Sequence, residues 1–593
     1  MANTKNFIAK NGFSTGDGYS MPDIRPSLLL DFANSKTLDP RITFTRGSTA
    51  TYWDGKTTAK ADENLARYTD DFTTIYTFDE VTVTRTDTAP DGTASALRMT
   101  ETTVNSDHRL FDSMSYPAGT NTTSVFAKYV DRQYLLVRML GGDAGTYAGA
   151  VYDIQNGTVT STSNVVSTSI TSVGNGWYRL SVTANTDSNG GSGNTVIALS
   201  DTSTYSDNIT YTGTGAEALV WGLQIENRSS ATAYTPTTSS PIVKYQPVLQ
   251  TAASGEARFD HDPVTGESKG LLIEEARTNL YPSSTTFTDK NVGPNSFVEA
   301  TVGLDGVVDS ALVLTSLSAG SSYIQATNFN MTSGTTYTIS CWAKLIAGSN
   351  SDLGGGFYSP AAPFSSNTIG KSDINSETWT RVYATATATA SGGTNATLIG
   401  YDAQPGTRLA YFGLQVEAGS FPTSYIPTSG STVTRSLEYA EITGTSFDFF
   451  NNQESTLYAE LDMTYSGDNS KGILGVNTDT AGVSGRLISM YLSAGLQFYF
   501  DNYSFGSVTA SGNGGPTPPS KVALSFSATS YLSATDGSTA ANTSGSYSIG
   551  QATRLQLGNA YNITGYPLNG HLKKIACYPK QLTSATLQAM TEE

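Results

Sequence analysis

The stretch "WGLQIENRSSATAYTP", Trp221 to Pro236, is spelled a second time as "FGLQVEAGSFPTSYIP", Phe412 to Pro427, aligned without a gap 191 residues later. Reading backwards from each copy, the same landmarks recur in the same order. "NL" stands at Asn64-Leu65 and at Asn279-Leu280. "DGTASALRMT" from Asp91 answers "DGVVDSALVLT" from Asp305, one residue longer. "SVFAKYV" from Ser124 answers "SCWAKLI" from Ser340, and "GWYRLSVTA" from Gly176 answers "TWTRVYATA" from Thr378. Five ordered matches define two homologous domains, at about 64–240 and 279–433.

Each landmark reads as a strand. A period of two places Phe126 or Trp342 on one face and Ala127 or Ala343 on the other. Trp177 and Trp379 each follow a polar turn and begin an alternating strand. Leu223 and Ile225, like Leu414 and Val416, face one way, with Gln224, Glu226, Gln415 and Glu417 facing the other. Tyr234 and Tyr425, each two residues before a proline, close the domains with extended chain. The aromatics Phe126, Trp177, Trp221 and Tyr234 match Trp342, Trp379, Phe412 and Tyr425. Recurrence in two diverged copies favours a shared core over sugar-stacking platforms. Specificity is expected in what differs, the loops at 187–194 and 348–364. The candidate carbohydrate-binding aromatics are Tyr358 and Phe364 there, and Tyr499 and Tyr503 further on.

Composition agrees with an all-β chain. At 593 residues the length calls for three or four domains. Charged residues make up 14% of the chain and glycines number 57, yet 33 Tyr and 23 Phe suffice for cores. Short Val-, Tyr- and Thr-rich runs, broken by Gly, Asn, Asp and Pro, predict antiparallel β-sandwiches. A net charge of −17 without a basic block argues against a nucleic-acid partner. Cys341 and Cys577 are too few for a disulfide framework and read as buried thiols. No secretory signal or membrane span is expected, since no apolar h-region opens the chain and no long apolar run follows. A chain so rich in Ser, Thr and Gly looks built for the outside of a cell; assembly in the cytoplasm and release by lysis would reconcile the two.

The endings of both domains, above all "GLQVEAGSFPTSYIPTSGSTVTR", resemble the carbohydrate-binding-module-like jelly rolls of bacteriophage virion proteins. "RITFTRGSTATYWDG" (Arg41–Gly55) and "ARFDHDPVTGESKGLLIEEARTNL" (Ala257–Leu280) resemble two parts of one connector found in phage tail and virion proteins. In that family the parts lie close together in sequence. Here residues 64–240 separate them, so the two pieces are expected to meet in space. The expected organisation is an N-terminal virion-anchoring segment at 1–45, connector parts at 46–63 and 241–278, jelly rolls at 64–240 and 279–433, and a final domain at 434–593.

That final domain resembles a laminin-G-like, concanavalin-type sandwich. In "STLYAELDMTYSG", Leu457, Ala459, Leu461 and Met463 share one face, and Tyr458, Glu460, Asp462 and Thr464 the other. Near the end, Thr583 is placed to cap a short helix, with Leu582 and Leu587 as a hydrophobic staple. The resemblance raises a glycosidase reading, in which Glu460 and Asp462 would act as a carboxylate pair. Tyr465 stands where a third carboxylate belongs and no tryptophan is near, so the expectation is a non-enzyme. His108, His261 and His571 are too scattered for zinc. Asp260 and Asp262 in "FDHDP" offer hard oxygen ligands of the kind calcium takes; a hydrogen-bonded turn before Pro263 is the preferred reading. No other cofactor is implied.

The first 45 residues resemble segments by which phage fibres attach to the particle, ordering against other virion proteins. The expectation is therefore a phage tail fibre, spike or receptor-binding component on the particle surface, adhering to host surface glycans, with a homotrimer implied by the resemblance. A head-attached fibre or capsid decoration protein is the first alternative. A polysaccharide depolymerase carrying accessory glycan-binding modules is the second.

Overall fold

The computed structural model describes residues 25–592, apart from 142–145, 188–189, 319, 354–357, 363–371, 399, 401, 464–470, 479–485, 493–497, 503–505, 510–519, 539–540, 545–549 and 561–565. All strand pairings among the described residues are antiparallel, and they build tandem β-sandwiches.

The duplicated sequence folds as a duplicated sheet. In the first sandwich one sheet runs, edge to edge, Ser167–Gly174, Trp177–Thr186, Gly119–Tyr129, Glu217–Glu226, Ala96–Glu101, Val81–Asp87. In the second the order is Thr380–Thr387, Thr336–Ala347, Arg408–Ala418, Ala311–Ser316, Ser296–Thr301. The matched landmarks occupy matched strands. Period-two alternation sends Val125, Ala127, Leu223 and Ile225 into one core and Ile339, Cys341, Leu414 and Val416 into the other. Cys341 and Cys577 are both buried free thiols, and burial pushes each up to about 12.

The "NL" landmark has an atomic reason. Asn64 donates from Nδ2 to the carbonyls of Leu223 (3.0 Å) and Thr235 (2.8 Å) and accepts on Oδ1 from the N–H of Ala66 and Ile225, both at 3.1 Å. Asn279 does the same with Leu414, Ile426, Tyr281 and Val416. Gln224 and Gln415 likewise bind the returning chain, each accepting from an N–H eleven residues on, Thr235 and Ile426. Two buried amides thus satisfy the backbone of the closing segment, which has no ladder of its own. Between them Gly222 and Gly413 bulge the strand at φ +65° and +63°; a Cβ there would stand 3.0 Å from the rings of Phe126 and Trp342.

The opposite sheets differ. The first sandwich has six strands in the order Thr158–Ser163, Tyr147–Asp153, Tyr134–Leu140, Gly191–Ser200, Asn105–Tyr116, Thr210–Thr212, with Thr77–Asp79 also pairing Asn105–Tyr116. The second has three among the described residues, Gly392–Thr397, Ile324–Met331 and Lys290–Val292. Half of the expected loop at 187–194 is strand instead: Gly191–Asn194 pair with Tyr116–Ser113, because glycines do not forbid a ladder that a neighbouring strand completes.

The third sandwich recruits chain from far upstream. One sheet contains Phe259–His261, Ser268–Ile273, Gly570–Tyr578, Ser455–Asp462, Lys521–Phe526, Ser530–Thr535 and Ala541–Ser544, with Leu28–Asp31 on Gly570–Tyr578 as well. The other contains Ile42–Thr45, Tyr439–Thr443, Arg554–Leu557, Lys471–Asn477, Arg486–Leu492, Phe498–Asn502 and Gly506–Thr509. This corrects the expectation of a single anchoring segment over 1–45. Leu28, Leu30 and Phe32 alternate into the third core, at 1%, 3% and 1% exposure, so the described part of that segment orders within its own chain. Residues 1–24 lie outside the described residues.

The two connector pieces do meet. Ala50–Asn64 pairs with Ile242–Ala252 over most of their length. A buried ionic hub ties this ribbon to the other modules: Glu438 receives Arg46 (2.8 Å) and Arg258 (2.5 Å), and Glu274 receives Arg258 (2.7 Å) and Arg435 (2.9 Å). Burial alone would raise the Glu274 carboxyl, but Arg435 and Arg258 together hold it well below the usual range. At the C-terminus, Thr583 caps the helix Ser584–Thr591, and Leu582 and Leu587 close over it as expected.

Candidate functional site

The matched aromatics are buried, but not between the sheets. Phe126, Trp177, Trp221 and Tyr234 cluster on the outer face of the first sandwich's sheet, apart from the core beneath. Phe297, from the edge strand of the second sandwich, caps them edge-on to Phe126, with centroids 6.4 Å apart at 76°. In the second sandwich Trp342, Phe412 and Tyr425 form the same cluster. There the cap is Trp53 of the connector, edge-on to Trp342 at 6.4 Å and 78°. Trp177 is 2% exposed, whereas its counterpart Trp379 is only partly buried and ties its indole N–H to Gln246 of the connector at 2.8 Å. Each outer aromatic face is therefore a seam onto which the next module docks.

The second sandwich's short sheet opens a groove. Its floor is the pair Ile324–Met331 and Gly392–Thr397, and its wall is the turn at Pro360–Ala361, held by the Thr389 N–H on the Ala361 carbonyl at 2.9 Å. A bulge between Ala326 and Phe329 puts Asn328 at φ +64°, where its amide binds Asp289 at 2.6 Å. Thr327, Asn328, Asn330, Ser391 and Asn395 line a cavity of about 630 Å³ with no charged side chain among its lining residues. Tyr358 bridges to Thr397 through backbone hydrogen bonds and stands 57% exposed near the wall. In the first sandwich the hairpin Tyr134–Leu140 and Tyr147–Asp153 extends the corresponding sheet.

Of the other candidate aromatics, Tyr499 lies on the strand Phe498–Asn502, while Phe364 and Tyr503 fall outside the described residues. The groove amides were not singled out from sequence; the only signal was Asn- and Gly-rich composition around a weak alternation. Asp260 accepts from the Trp53 N–H at 2.7 Å and meets His571 Nε2 at 2.9 Å. Asp262 accepts from the N–H groups of Val264 and Thr265, at 2.9 and 2.8 Å, which is the hydrogen-bonded turn. Among the described residues no group of three or more His, Cys, Asp or Glu is placed to hold a metal ion.

Glu460 and Asp462 do share a face, but it is not open along its length. Tyr458 is 2% exposed because the C-terminal helix covers it through Leu582, Leu587 and Met590. Asp462 lies 3.7 Å from Lys269. No described helix is long and apolar enough to cross a membrane.

No protein-family model matches the chain, and no curated protein matches it. Among solved structures it is similar to the CBM40 of the Ruminococcus gnavus IT-sialidase bound to α2,6-sialyllactose, at 16% identity over 24% of this chain and 84% of that one, with a TM-score of 0.19. It is also similar to the CBM22-1–CBM22-2 tandem of Paenibacillus barcinonensis Xyn10C, at 13% identity over 61% and 99%, TM-score 0.18. A third is Trypanosoma rangeli sialidase with the inhibitor DANA, at 9% identity over 87% and 94%, TM-score 0.21. At these scores the likeness carries no functional weight, and the tandem β-sandwich is read from the sheets themselves.

Proposed function

We propose that this chain is a bacteriophage virion protein, a tail fibre, spike or receptor-binding component, that adheres to host surface glycans without catalysis. The groove of the second sandwich supports this reading most directly. An uncharged trough walled by amides, hydroxyls and a proline turn suits neutral sugar hydroxyls, and its volume falls within the range of ligand sites. Tyr358, two residues before the wall residue Pro360, supplies an exposed aromatic side chain for stacking. Single contacts of this kind are weak, and a trimer on the particle surface would multiply them through effective concentration. The phage assignment rests on the sequence resemblance of the connector and the domain endings.

The test is a glycan array probed with the full chain and with Asn330→Ala plus Tyr358→Ala. The native chain should bind a defined subset of neutral glycans and the variant should lose them while melting at the same temperature. Unchanged binding by the variant would remove the groove from the account. Particle imaging with an antibody to the chain should place it on the tail; labelling of the capsid would favour the decoration reading.

A further inference from the structure

The duplication makes one side chain conspicuous. In the first sandwich Arg179 lies over the Phe126 ring, 5.2 Å from its centroid, and gives Nη2 to Ser124 at 3.0 Å. It gives Nη1 to Glu299 of the second sandwich at 2.8 Å, and Glu299 also receives Arg408 at 2.9 Å. Its counterpart in the second sandwich is Arg381. Arg381 lies over Trp342 at 4.7 Å and gives Nη2 to Ser340 at 3.2 Å, repeating two of the three contacts. The third is absent, since no carboxylate lies within ion-pair distance among the described residues.

The reason lies in the capping strand. Phe297 caps the first aromatic face, and Glu299, two residues along the same strand face, supplies the carboxylate. Trp53 takes the place of Phe297 on the second face, and the residues two away on its strand are Thr51 and Gly55. Neither can replace the carboxylate. What remains is a cavity of about 170 Å³ lined by Arg381, Trp53, Trp342, Thr423, Asn569 and His571, among others.

The pairing around it leaves one guanidinium over. Arg381, Arg258, Arg435 and Arg46 stand against Glu274, Glu438, Glu417 and the wall residue Asp260, four cations to four carboxylates, and the ion pairs among the described residues join the other three arginines but not Arg381. The two carboxylates that line the cavity are occupied: Asp260 by the Trp53 N–H and His571, Glu274 by Arg258, Arg435 and Ser424. Burial depresses the Arg381 guanidinium from its ordinary value. Arg381 itself remains partly exposed.

We propose that this junction cavity binds a small carboxylate, which takes on Arg381 the place that the Glu299 side chain takes on Arg179. The guanidinium suits a carboxylate and the tryptophan walls beside it suit the ring of an acidic sugar, while a simple organic acid presents the same charged group. The site is separate from the uncharged groove, and the inference does not depend on that groove being a glycan site.

Calorimetric titration of the full chain tests it with glucuronate, the methyl ester of glucuronate, glucose and acetate. Glucuronate should bind, and the ester and glucose should bind at least about tenfold more weakly, since a charge-assisted hydrogen bond is lost. Acetate binding as tightly as glucuronate supports the carboxylate site and assigns it to simple acids; tighter glucuronate assigns it to acidic sugars. Arg381→Gln should abolish the preference for acid over ester, and Arg381→Lys should retain part of it. Equal binding of acid and ester by the native chain, or binding of neither acid, overturns the proposal whether or not the variants fold.

Discussion

The two duplicated sandwiches agree where the chain must close and disagree where it can be left open. Asn64 and Asn279, Gln224 and Gln415, Gly222 and Gly413 repeat one another contact for contact. The opposite sheets do not: one carries a full hairpin extension, the other has three strands among the described residues and a groove. The outer aromatic faces agree in their rings but not in what caps them. Closure of a sandwich leaves little freedom, because buried backbone groups must find partners. Width of a sheet and choice of capping strand are free, and there the two copies acquire different surfaces.

Matched substitutions break or sharpen this comparison. Trp177→Ala should cost about 3–5 kcal/mol in equilibrium unfolding, as full removal of a buried indole does. Trp379→Ala, only partly buried, should cost less, about 1–2 kcal/mol; equal costs would mean that the two seams are equivalent after all. Next, acid should weaken the first sandwich through Glu101. Burial alone would raise that carboxyl, but the Tyr211 hydroxyl, the Thr214 N–H and hydroxyl and Arg132 hold it at about 2, below its ordinary 4.5. A depressed folded value means the stabilisation is full above 4.5 and is lost as pH falls toward 2. The loss should reach roughly 3 kcal/mol, and Glu101→Gln should flatten that part of the pH–stability curve.

Smaller effects follow. Gly222→Ala and Gly413→Ala should each cost roughly 1–2 kcal/mol and by the same amount, because both force a Cβ into the left-handed region. Unequal costs would break the equivalence of the two bulges. Asn330→Ala in the groove should change stability by no more than about 0.5 kcal/mol, so that any loss of glycan binding reports the site itself.

Much of the scaffold was legible in the sequence because closure demands particular side chains. An amide at Asn64, a glycine at Gly222 and a tyrosine before proline have few substitutes, so they survive divergence and can be aligned by eye. The alternation of Leu457, Ala459 and Leu461 into the third core was equally plain. The groove was not legible, since it arises from the narrowness of a sheet that has three strands among the described residues, and the width of a sheet leaves no motif. Nor was the pairing of Leu28–Asp31 with Lys574–Cys577, nearly the whole chain away, because nothing local marks a strand's distant partner. Trp53 read as part of a connector, and only its geometry over Trp342 reveals it as a cap. Arg381 drew no notice for the same reason: its meaning comes from a contact its counterpart makes with another module.

The seams are the centre of the account, and one paired measurement tests them most directly: equilibrium unfolding of Arg179→Gln beside Arg381→Gln. Arg179 gives a charge-assisted bond to a buried carboxylate, so its loss should cost about 2 kcal/mol. Arg381 gives none to a carboxylate and keeps only its bond to Ser340 and its place over Trp342, so its replacement should cost less, about 1 kcal/mol or under. A cost for Arg381→Gln equal to or above that of Arg179→Gln would contradict the claim that the second seam was left without its anion.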